Sequence, residues 1–408
     1  MKYQAPAGTR DVLPSDALWW RLVAFVERFV PLYGYGRVQT PAFEDTALIH
    51  RSAGAGSDIV QKETYSFDDR GGRSLTLRPE GTAPIVRAYL ENGLQREPKP
   101  VKLYTVASMF RYDRPQAGRY REHTQLSAEI IGSADPAVDA ELMQMYVELL
   151  RHFDYTDWEL QLNSIGDENC RPAYLERLNA WLDEHDDVLD DAARQKRTTT
   201  PLRVFDVKNP HVQAALEDAP KIGDSLCAEC AEHFEQVKRY LDLYGIPYRV
   251  VPTLVRGIDY YTRTTFEFKE TATGHAQDTI CAGGRYDGLV EQLGGEPTPG
   301  IGFGAGLERL ALALADAGAI AHPHRLDVFV VTEEKERVLP VVAALRRSGL
   351  TVDLDYAGRS HNAQVKHALR LDPGRIVVVE GDDAVIRMRG EEDERVPLHE
   401  LVVRLERP

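Results

Sequence analysis

The segment from Met109 to Glu129 restricts the fold of this chain more than any other, because it has the pattern of a β-hairpin. The approach strand, Leu103 to Arg111, is mostly apolar or β-branched and ends in an arginine. The turn that follows contains residues that favour chain reversal: Asp113, Pro115 and Gly118. The sequence therefore predicts two antiparallel strands joined by a polar turn.

Polar and apolar side chains alternate along the return strand of this hairpin. Since successive side chains of a strand point to opposite faces, one face collects five polar groups: Arg121, His123, Gln125, Ser127 and Glu129. The other face is lined by Leu126, Ala128 and Ile130. A solvated hairpin with cross-strand ion pairs explains this pattern. A ligand that is anionic at one end and cationic or hydrogen-bonding at the other explains it too.

The composition is ordinary for a globular protein, with 43% hydrophobic and 28% charged residues among 408. This length predicts two or three domains. The chain has no apolar run near roughly 18 residues and no charged-then-apolar leader, so we expect no membrane span, no signal peptide and a cytoplasmic location. The net charge of −15 disfavours a nucleic-acid partner, but an acidic total permits local basic patches. Composition therefore does not decide the partner.

Four cysteines are too few for a disulfide scaffold. Cys227 and Cys230 form a CxxC pair with His233 three residues on, and Cys170 could supply a fourth zinc ligand. A helix that packs these two thiols inward at i and i+3 explains the same pattern, because 232–243 continues as an amphipathic helix. Because there is only one CxxC pair, we predict no tightly bound protein metal, and zinc at the pair stays an open alternative.

A second polar segment, LVRGIDYYTRTTFE, runs from Leu254 to Glu267. It places Arg256 on a glycine-flanked bend before the adjacent tyrosines Tyr260 and Tyr261, and an alternating strand follows through Phe268. An exposed arginine and two core tyrosines would explain these features one by one. The whole string together favours a binding site.

Residues 74–80 predict a strand that ends at Pro79, and a helix then opens at Gly81 with Thr82 as its cap. Glu80 and Thr82 are therefore expected beside a helix N-terminus, a usual place for ligand-binding groups.

Glycines alternate from Gly300 to Gly306, so four hydrogen side chains share one face of a predicted strand. Nothing would then stand between the backbone and a flat ligand such as adenine. A helix follows with Arg309 in its first turn, where a cation suits nucleotide phosphates. A strand kept bare for close helix packing is the alternative. The spacing does not fit a dinucleotide-binding fingerprint, in which the glycines follow the strand.

The pattern is mainly helical from 170 to 250, and a linker is predicted after Ala315, through Gly318 and Pro323. Beyond it, strands at 326–332, 351–356 and 375–381 with a helix at 361–371 predict a small α/β domain with a largely parallel sheet.

These segments resemble the motifs of class II aminoacyl-tRNA synthetases, in the form found in histidyl-tRNA synthetases. The hairpin is similar to motif 2 and the glycine-rich strand to motif 3, while a helix after Ser15 and an extended segment to Pro41 resemble motif 1. LVRGIDYYTRTTFE and the string CAGGRYDG from Cys281 to Gly288 are similar to histidyl-specific segments. The resemblance covers nearly all 408 residues in the family's order.

The resemblance implies an α/β fold in which an α+β catalytic domain on a mostly antiparallel sheet is interrupted by a helical insertion. A C-terminal α/β domain of the anticodon-binding type would follow. The expected bounds are 1–169 and 251–320 for the two catalytic parts, 170–250 for the insertion and 325–408 for the C-terminal domain.

The implied activity is that of a histidine–tRNA ligase, in which L-histidine and ATP, with Mg²⁺, give histidyl-adenylate before transfer to tRNA(His). Arginines would neutralise the reacting anions, and no side-chain nucleophile is required. The resemblance implies the catalytic residues Arg111, Arg256, Arg309 and Gln125. It implies the histidine contacts Glu80, Gly81, Thr82, Arg111, Gln125, Glu129, Arg256, Tyr260, Tyr261 and Tyr286. It implies the ATP contacts Arg111, Arg119, Gly304, Gly306 and Arg309.

The resemblance also implies a homodimer that packs through motif 1, and tRNA contacts at two places. Arg114 and Gln116 in the hairpin turn would lie near the acceptor stem, and the C-terminal domain would contact the anticodon. That domain departs most from the family pattern, because the GRS sequence at Gly358 lacks the expected lysine pair after it and 382–394 is short.

The alternative function belongs to a paralogue, the regulatory subunit of ATP phosphoribosyltransferase, which senses histidine without aminoacylation. That paralogue generally lacks the C-terminal domain and has eroded arginine motifs. This chain keeps Arg111, Arg256, Arg309 and a C-terminal domain, which favours the ligase.

Overall fold

The computed structural model describes residues 3–54, 57, 59–272, 278–322 and 325–406. The chain divides into two compact units, Met1–Val12 with Leu18–Ile320 and Leu13–Ala17 with Ala321–Pro408. Both units combine helices with β-sheet, which confirms the predicted α/β class. Within the described ranges, no helix is both long and apolar enough to cross a membrane.

Residues 17–316 form ten α-helices and eleven strands among the described positions, numbered here in chain order. The helices are α1 Ala17–Phe29, α2 Thr46–Ala53, α3 Thr82–Glu91, α4 Pro136–His152, α5 Arg171–Glu184, α6 Asp191–Thr199, α7 Pro210–Ala215, α8 Ala228–Leu243, α9 Leu289–Gln292 and α10 Leu307–Asp316. The strands are β1 Gly36–Arg37, β2 Phe43–Asp45, β3 Ser66–Asp68, β4 Ser74–Leu77, β5 Val101–Phe110, β6 Glu122–Ile131, β7 Trp158–Ser164, β8 Arg249–Val250, β9 Thr262–Glu270, β10 Thr279–Arg285 and β11 Gly300–Gly306.

The first unit is built on an eight-stranded sheet in the order β1-β5-β6-β11-β10-β9-β7-β8. Only the two edge pairs, β1 with β5 and β7 with β8, are parallel. The sheet is therefore mostly antiparallel, as predicted. A separate three-stranded sheet has the order β2-β4-β3.

The predicted hairpin is confirmed as β5 and β6, which pair over ten residues with Met109 opposite His123. Beyond the last pair, the Arg111 N–H donates to the Arg121 carbonyl at 2.9 Å. The turn lies further out, where Gly118 has a positive φ of 70°. This register places Gln125 and Glu129 on one face of the sheet, since side chains two residues apart in a strand share a face.

One face of the sheet is covered by α4, whose buried residues pack with Leu126, Ala128 and Ile130 of β6 in the main core. The apolar stripe of α1 joins the same core through Trp19, Leu22 and Val26. These helices fill the apolar side of the sheet. The polar face of the hairpin is left for the site.

A buried ionic network fixes α4 against β10 and α8. The Arg285 guanidinium donates to Asp139 at 2.7–3.0 Å, and His233 Nε2 lies 3.1 Å from the same carboxylate. Asp139 and Arg285 are fully buried, so the pair relies on its mutual hydrogen bonds. His233 faces this network, and its interpretation as a ligand beside Cys227 and Cys230 is therefore wrong.

The helices α5 to α7 pack on a second core that also contains Tyr260, Tyr261 and Tyr286. The helical character predicted for 170–250 is confirmed. Its apolar core is continuous with the tyrosines of the predicted site, while the exact bounds of an insertion remain a prediction.

The second unit has a five-stranded sheet in the order β13-β12-β14-β15-β16. Its strands are β12 Val328–Val331, β13 Val352–Leu354, β14 Arg375–Glu380, β15 Asp383–Arg387 and β16 Glu394–Pro397. Its helices are α11 Lys335–Arg347, α12 His361–Leu371 and α13 Leu401–Glu406. The pairs of β12 with β13 and β14 are parallel, but β14, β15 and β16 are antiparallel neighbours. The prediction of a largely parallel sheet is wrong, because β15 and β16 extend the sheet from β14 as an antiparallel meander.

Candidate active site

A cavity of about 290 Å³ lies where the hairpin, β9 to β11 and the first turns of α3 and α10 meet. Its walls contain eleven of the predicted site residues: Glu80, Thr82, Arg111, Arg119, Gln125, Arg256, Tyr260, Tyr261, Gly304, Gly306 and Arg309. The first and last of these residues, Glu80 and Arg309, are 229 positions apart in the sequence. The fold thus brings together the segments that the sequence predicted to share a site.

Three arginines of the cavity wall are held by backbone or acidic partners. Arg111 Nε donates to the Pro79 carbonyl at 2.8 Å, and Arg119 pairs with Asp113. One terminal N–H of Arg309 donates a hydrogen bond to the Thr279 carbonyl. Burial, with the like charges of Arg119 and Arg111, lowers the pKa of Arg309. An anion in this cavity would relieve that repulsion.

Arg256 lies deeper and pairs with the carboxylate of Glu267. Its guanidinium carbon lies 5.6 Å from the centre of the Tyr261 ring. Although burial lowers the pKa of Arg256, Glu267 and Tyr261 raise it above its usual value, so the charge is retained. Two buried guanidinium nitrogens, Nε of Arg256 and Nε of Arg309, have no hydrogen-bond partner among the described residues. Buried donors of this kind are normally satisfied, so they point to a bound acceptor.

Glu80 lies at the start of α3 and binds the helix N-terminus itself. Its carboxylate accepts from the Thr82 N–H at 2.5 Å and the Ala83 N–H at 2.9 Å. The N-cap residue of α3 is Gly81, so the prediction of Thr82 as the cap is wrong. Burial raises the pKa of Glu80, while these two N–H groups oppose the shift. The capping bonds leave the Thr82 hydroxyl free to point elsewhere.

That hydroxyl donates to Glu129, which lies behind the cavity wall. Glu129 is fully buried and accepts from Thr82 Oγ1 and from Tyr286 Oη, each at 2.7 Å. Burial raises the pKa of Glu129 well above its usual range, while the two hydroxyls oppose the shift. Glu129 and Tyr286 do not line the cavity themselves. They are placed to hold Thr82 and the neighbouring tyrosines.

The alternating glycines of β11 face other side chains rather than open space. A Cβ on Gly300 would lie 2.2 Å from Tyr286, and one on Gly302 would lie 1.7 Å from Glu129 Oε2. A Cβ on Gly304 would lie 2.6 Å from Gln125 Nε2, but Gly306 has no neighbour within 4 Å. The prediction of a bare glycine face is therefore wrong over most of its length. The glycines make room for the polar groups of β6 and for Tyr286, and the face opens only towards Gly306.

Gln125 and His123 complete the hairpin's contribution to the wall. Gln125 Nε2 donates to Ser127 Oγ at 2.9 Å. Burial, together with the guanidinium groups of Arg111 and Arg309, lowers the pKa of His123 from 6.5 to about 3. His123 is therefore a neutral imidazole near pH 7.

The lowered pKa of His123 predicts a pH dependence of stability. The unfolded chain binds a proton below pH 6.5 that the folded chain accepts only near pH 3, so stability falls as the pH drops through this window. For each unit by which the pH decreases, we expect the unfolding free energy of the wild type to fall by up to about 1.4 kcal/mol more than that of His123→Gln. Urea unfolding at pH 4.5, 5.5 and 7 measures it. Equal slopes for the two proteins would contradict the assigned pKa.

Besides Glu129 and Tyr286, three predicted site residues lie outside the cavity wall. Gly81 is packed against Ser127, whose Oγ would lie 2.2 Å from an added Cβ. Arg114 and Gln116 are exposed in the hairpin turn, where Gln116 and Arg119 exchange backbone hydrogen bonds of 2.9 and 3.2 Å.

The wall also contains polar residues that the sequence did not predict as site residues: Asp113, Tyr120, Glu267, Thr279 and Glu308. Glu267 closes the LVRGIDYYTRTTFE string, and period-2 alternation from Thr265 could have identified it. Glu308 follows Gly306 in the motif and accepts the Thr124 N–H at 2.8 and 2.9 Å. Thr279 has no such pattern around it, and only pairing with β9 places it here.

Comparison with known proteins supports this assembly of segments. Residues 8–310 match the family model described as histidyl-tRNA synthetase. The chain belongs to the histidyl-tRNA synthetase family. The predicted family is therefore confirmed.

Individual relatives match over the whole chain. A protein of Halothermothrix orenii named histidine–tRNA ligase is 43% identical over 100% of both chains. One of the same name from Desulforudis audaxviator is 45% identical over 100% of this chain and 99% of the relative. The solved structure of apo S. aureus histidyl-tRNA synthetase superposes with a TM-score of 0.84 at 35% identity, covering 100% of both chains. The C-terminal unit is thus part of the similarity.

Proposed function

We propose that this chain is a histidine–tRNA ligase, which activates L-histidine with ATP and then transfers histidine to the 3′ end of tRNA(His). The observation that supports this most is the cavity, which combines four arginines with carboxyl and tyrosine groups in a protein of this family. The full-length relatives named as ligases favour this function over that of the regulatory paralogue. So do the retained Arg111, Arg256 and Arg309.

Formation of the adenylate brings two anions together, the histidine carboxylate and the α-phosphate. Arg111 and Arg256 are proposed to neutralise this pair, and Arg309 to stabilise the departing pyrophosphate. The unpartnered Nε atoms of Arg256 and Arg309 support these assignments. The carboxylate oxygen bonds to the α-phosphorus as pyrophosphate leaves, so no protein nucleophile takes part. Positioning and charge provide the rate enhancement.

Histidine recognition is proposed to rest on polar groups that accept from its ammonium and imidazole. Glu80, Thr82 and Gln125 line the cavity and offer such acceptors. Tyr260 and Tyr261, with ring centres 4.6 Å apart, would pack beside the imidazole. For Glu129 we now propose an indirect role, because both of its oxygens already accept hydroxyls at the back of the wall. Gly81 likewise would act by packing.

ATP with Mg²⁺ is the proposed co-substrate. Arg119, Gly304 and Gly306 line the cavity and would contact the nucleotide, and the glycine face of β11 is open at Gly306. Glu308 lies on the wall and offers the oxygen ligands that Mg²⁺ prefers. The ion would neutralise negative charge on the triphosphate of ATP, while the arginines would fix the orientation of the triphosphate.

The remaining partners are proposed from the family. Exposed Arg114 and Gln116 in the hairpin turn would contact the acceptor stem, and residues 325–408 the anticodon. A homodimer through the region of α1 and β1 and a cytoplasmic location complete the proposal.

The test is amino-acid-dependent exchange of labelled pyrophosphate into ATP, run with each of the twenty amino acids. Exchange with histidine alone is the expected result. Histidine binding by calorimetry without any exchange would overturn the proposal in favour of a histidine sensor. Exchange with another amino acid would show a different specificity.

A further inference from the structure

A cluster of four potential metal ligands lies outside the active-site cavity. It consists of Asp167, Cys170, Cys227 and Cys230, whose ligand atoms all lie within 4.8 Å of one another. Two come from the loop between β7 and α5, and two from the start of α8. Three of the four residues are buried, and all the cysteines are free. The cluster therefore unites segments that are about sixty positions apart in the chain.

The spacing of these atoms matches a tetrahedral zinc site. Zinc lies about 2.3 Å from sulfur and about 2.1 Å from oxygen, which puts two sulfurs about 3.8 Å apart and a sulfur and an oxygen about 3.6 Å apart. The Sγ atoms of Cys170 and Cys230 are 3.9 Å apart. Asp167 Oδ1 lies 3.6 Å from Cys170 Sγ and 3.9 Å from Cys227 Sγ. A disulfide would require sulfurs about 2 Å apart, so the arrangement fits a shared ion better.

We propose that a structural Zn²⁺ is bound by four side chains: Asp167, Cys170, Cys227 and Cys230. Four protein ligands close the tetrahedral shell and leave no position for substrate, which makes the site structural rather than catalytic. The ion replaces the prediction of no tightly bound metal. The sequence contains only one CxxC pair, and the fourth ligand is an aspartate, which a search for cysteine spacing does not find.

The groups around the cluster hold its ligands in place. Arg263 donates to Asp167 Oδ2 at 3.1 and 3.3 Å. Oδ1 accepts the Asn169 N–H at 3.0 Å and faces the thiols of Cys170 and Cys227. The Asp167 N–H donates to Cys170 Sγ at 3.4 Å. Gly166 has a φ of +63°, and a Cβ there would lie 2.6 Å from the Cys170 sulfur. Only glycine allows the chain to pass this close to the thiol without strain.

The site also links the helical segment to the proposed histidine pocket. Arg263 lies two residues after Tyr261. Arg171, next to Cys170, donates to the Tyr261 carbonyl at 2.8 Å and to the Gly166 carbonyl at 3.0 Å. A metal that fixes Asp167 and Cys170 would therefore fix the backbone of the tyrosine pair. This consequence rests on the proposed function, whereas binding of the metal does not.

Metal analysis of the full-length protein, purified without chelator, tests the proposal. We expect about one zinc ion per chain in the wild type and less than about a tenth of that in Cys227→Ser and Cys170→Ser. Cys281→Ser is the matched control, because Cys281 is a buried thiol outside the cluster. It should keep its zinc. Absence of zinc from the wild type, or full zinc in Cys227→Ser, would overturn the proposal.

Cobalt substitution gives a readout that does not depend on whether a cysteine variant folds. Wild-type protein stripped of metal and titrated with Co²⁺ should develop the thiolate charge-transfer and intense d–d bands of a tetrahedral site. Asp167→Cys should keep these bands with a fourth thiolate, and Asp167→Ala should bind Co²⁺ at least about tenfold more weakly. Octahedral Co²⁺ spectra, or a Cys170–Cys230 disulfide found by mass spectrometry in freshly purified protein, would contradict the site.

Discussion

Arg256→Ala is expected to lower the kcat/KM of histidine-dependent pyrophosphate exchange about 100- to 1,000-fold, a loss typical of one preorganised transition-state contact. The reason is twofold. The variant removes the cation proposed for the carboxylate and the α-phosphate. It also leaves the Glu267 carboxylate facing the cavity without its arginine, with Lys269 Nζ at 4.0 Å as a more distant cationic partner. A negative charge that is compensated less closely at this point would repel both reacting anions.

The control for this prediction is Arg249→Ala in the same compact unit. Arg249 lies on the edge strand β8 and pairs with Glu159 of the neighbouring strand β7. The Arg249 side chain is 56% exposed. Its loss should leave exchange within about twofold and unfolding within about 1 kcal/mol of the wild type. Circular dichroism and thermal unfolding must show Arg256→Ala folded. Exchange by Arg256→Ala within a few-fold of the wild type would show that Arg256 has no role in activation.

Gly302→Ala is expected to weaken histidine activation about 100-fold and to lower stability by about 1–3 kcal/mol. The added Cβ would lie 1.7 Å from Glu129 Oε2 and 2.8 Å from the Ala128 carbonyl. Glu129 is completely buried, so it cannot move aside without breaking its bonds with Thr82 and Tyr286. The KM for histidine should rise more than the KM for ATP.

Gly306→Ala serves as the stability control in the same strand. Its Cβ would meet nothing within 4 Å, and its φ of −75° suits alanine. Urea unfolding should place this variant within about 0.5 kcal/mol of the wild type. If Gly302→Ala were equally stable and bound histidine normally, Glu129 could not have the positioning role proposed here.

Periodicity in the sequence was sufficient to predict the strands that build the site. Alternation along 121–130 placed Gln125 and Glu129 on one face, and the structure pairs that strand with β5 as expected. The helix after the glycine-rich strand and the helical segment 170–250 follow from the same kind of pattern. Local patterns fix elements because the side-chain periods of 2 and 3.6 residues belong to the backbone itself.

What fills the space beside an element depends on segments far away in the chain, and here prediction failed. The glycines of β11 share a face, but the groups that occupy it come from Gln125, Glu129 and Tyr286. Similarly, His233 follows Cys230 by three residues, a spacing that leaves two side chains only about 60° apart around a helix. His233 nevertheless lies against Asp139 of α4, whereas Asp167, sixty residues upstream of Cys227, joins the thiols, and both partners come from distant segments.

The central claim is that this cavity joins histidine to AMP, and the bound product tests it most directly. The protein is incubated with labelled histidine, ATP labelled at the α-phosphate, Mg²⁺ and pyrophosphatase, without tRNA, and the complex is isolated by gel filtration. We expect both labels to remain with the protein in about equal amounts. Addition of tRNA(His) should then move the histidine label to the 3′ end and release the α-phosphate label as AMP. Retention of histidine without the α-phosphate label would contradict the account.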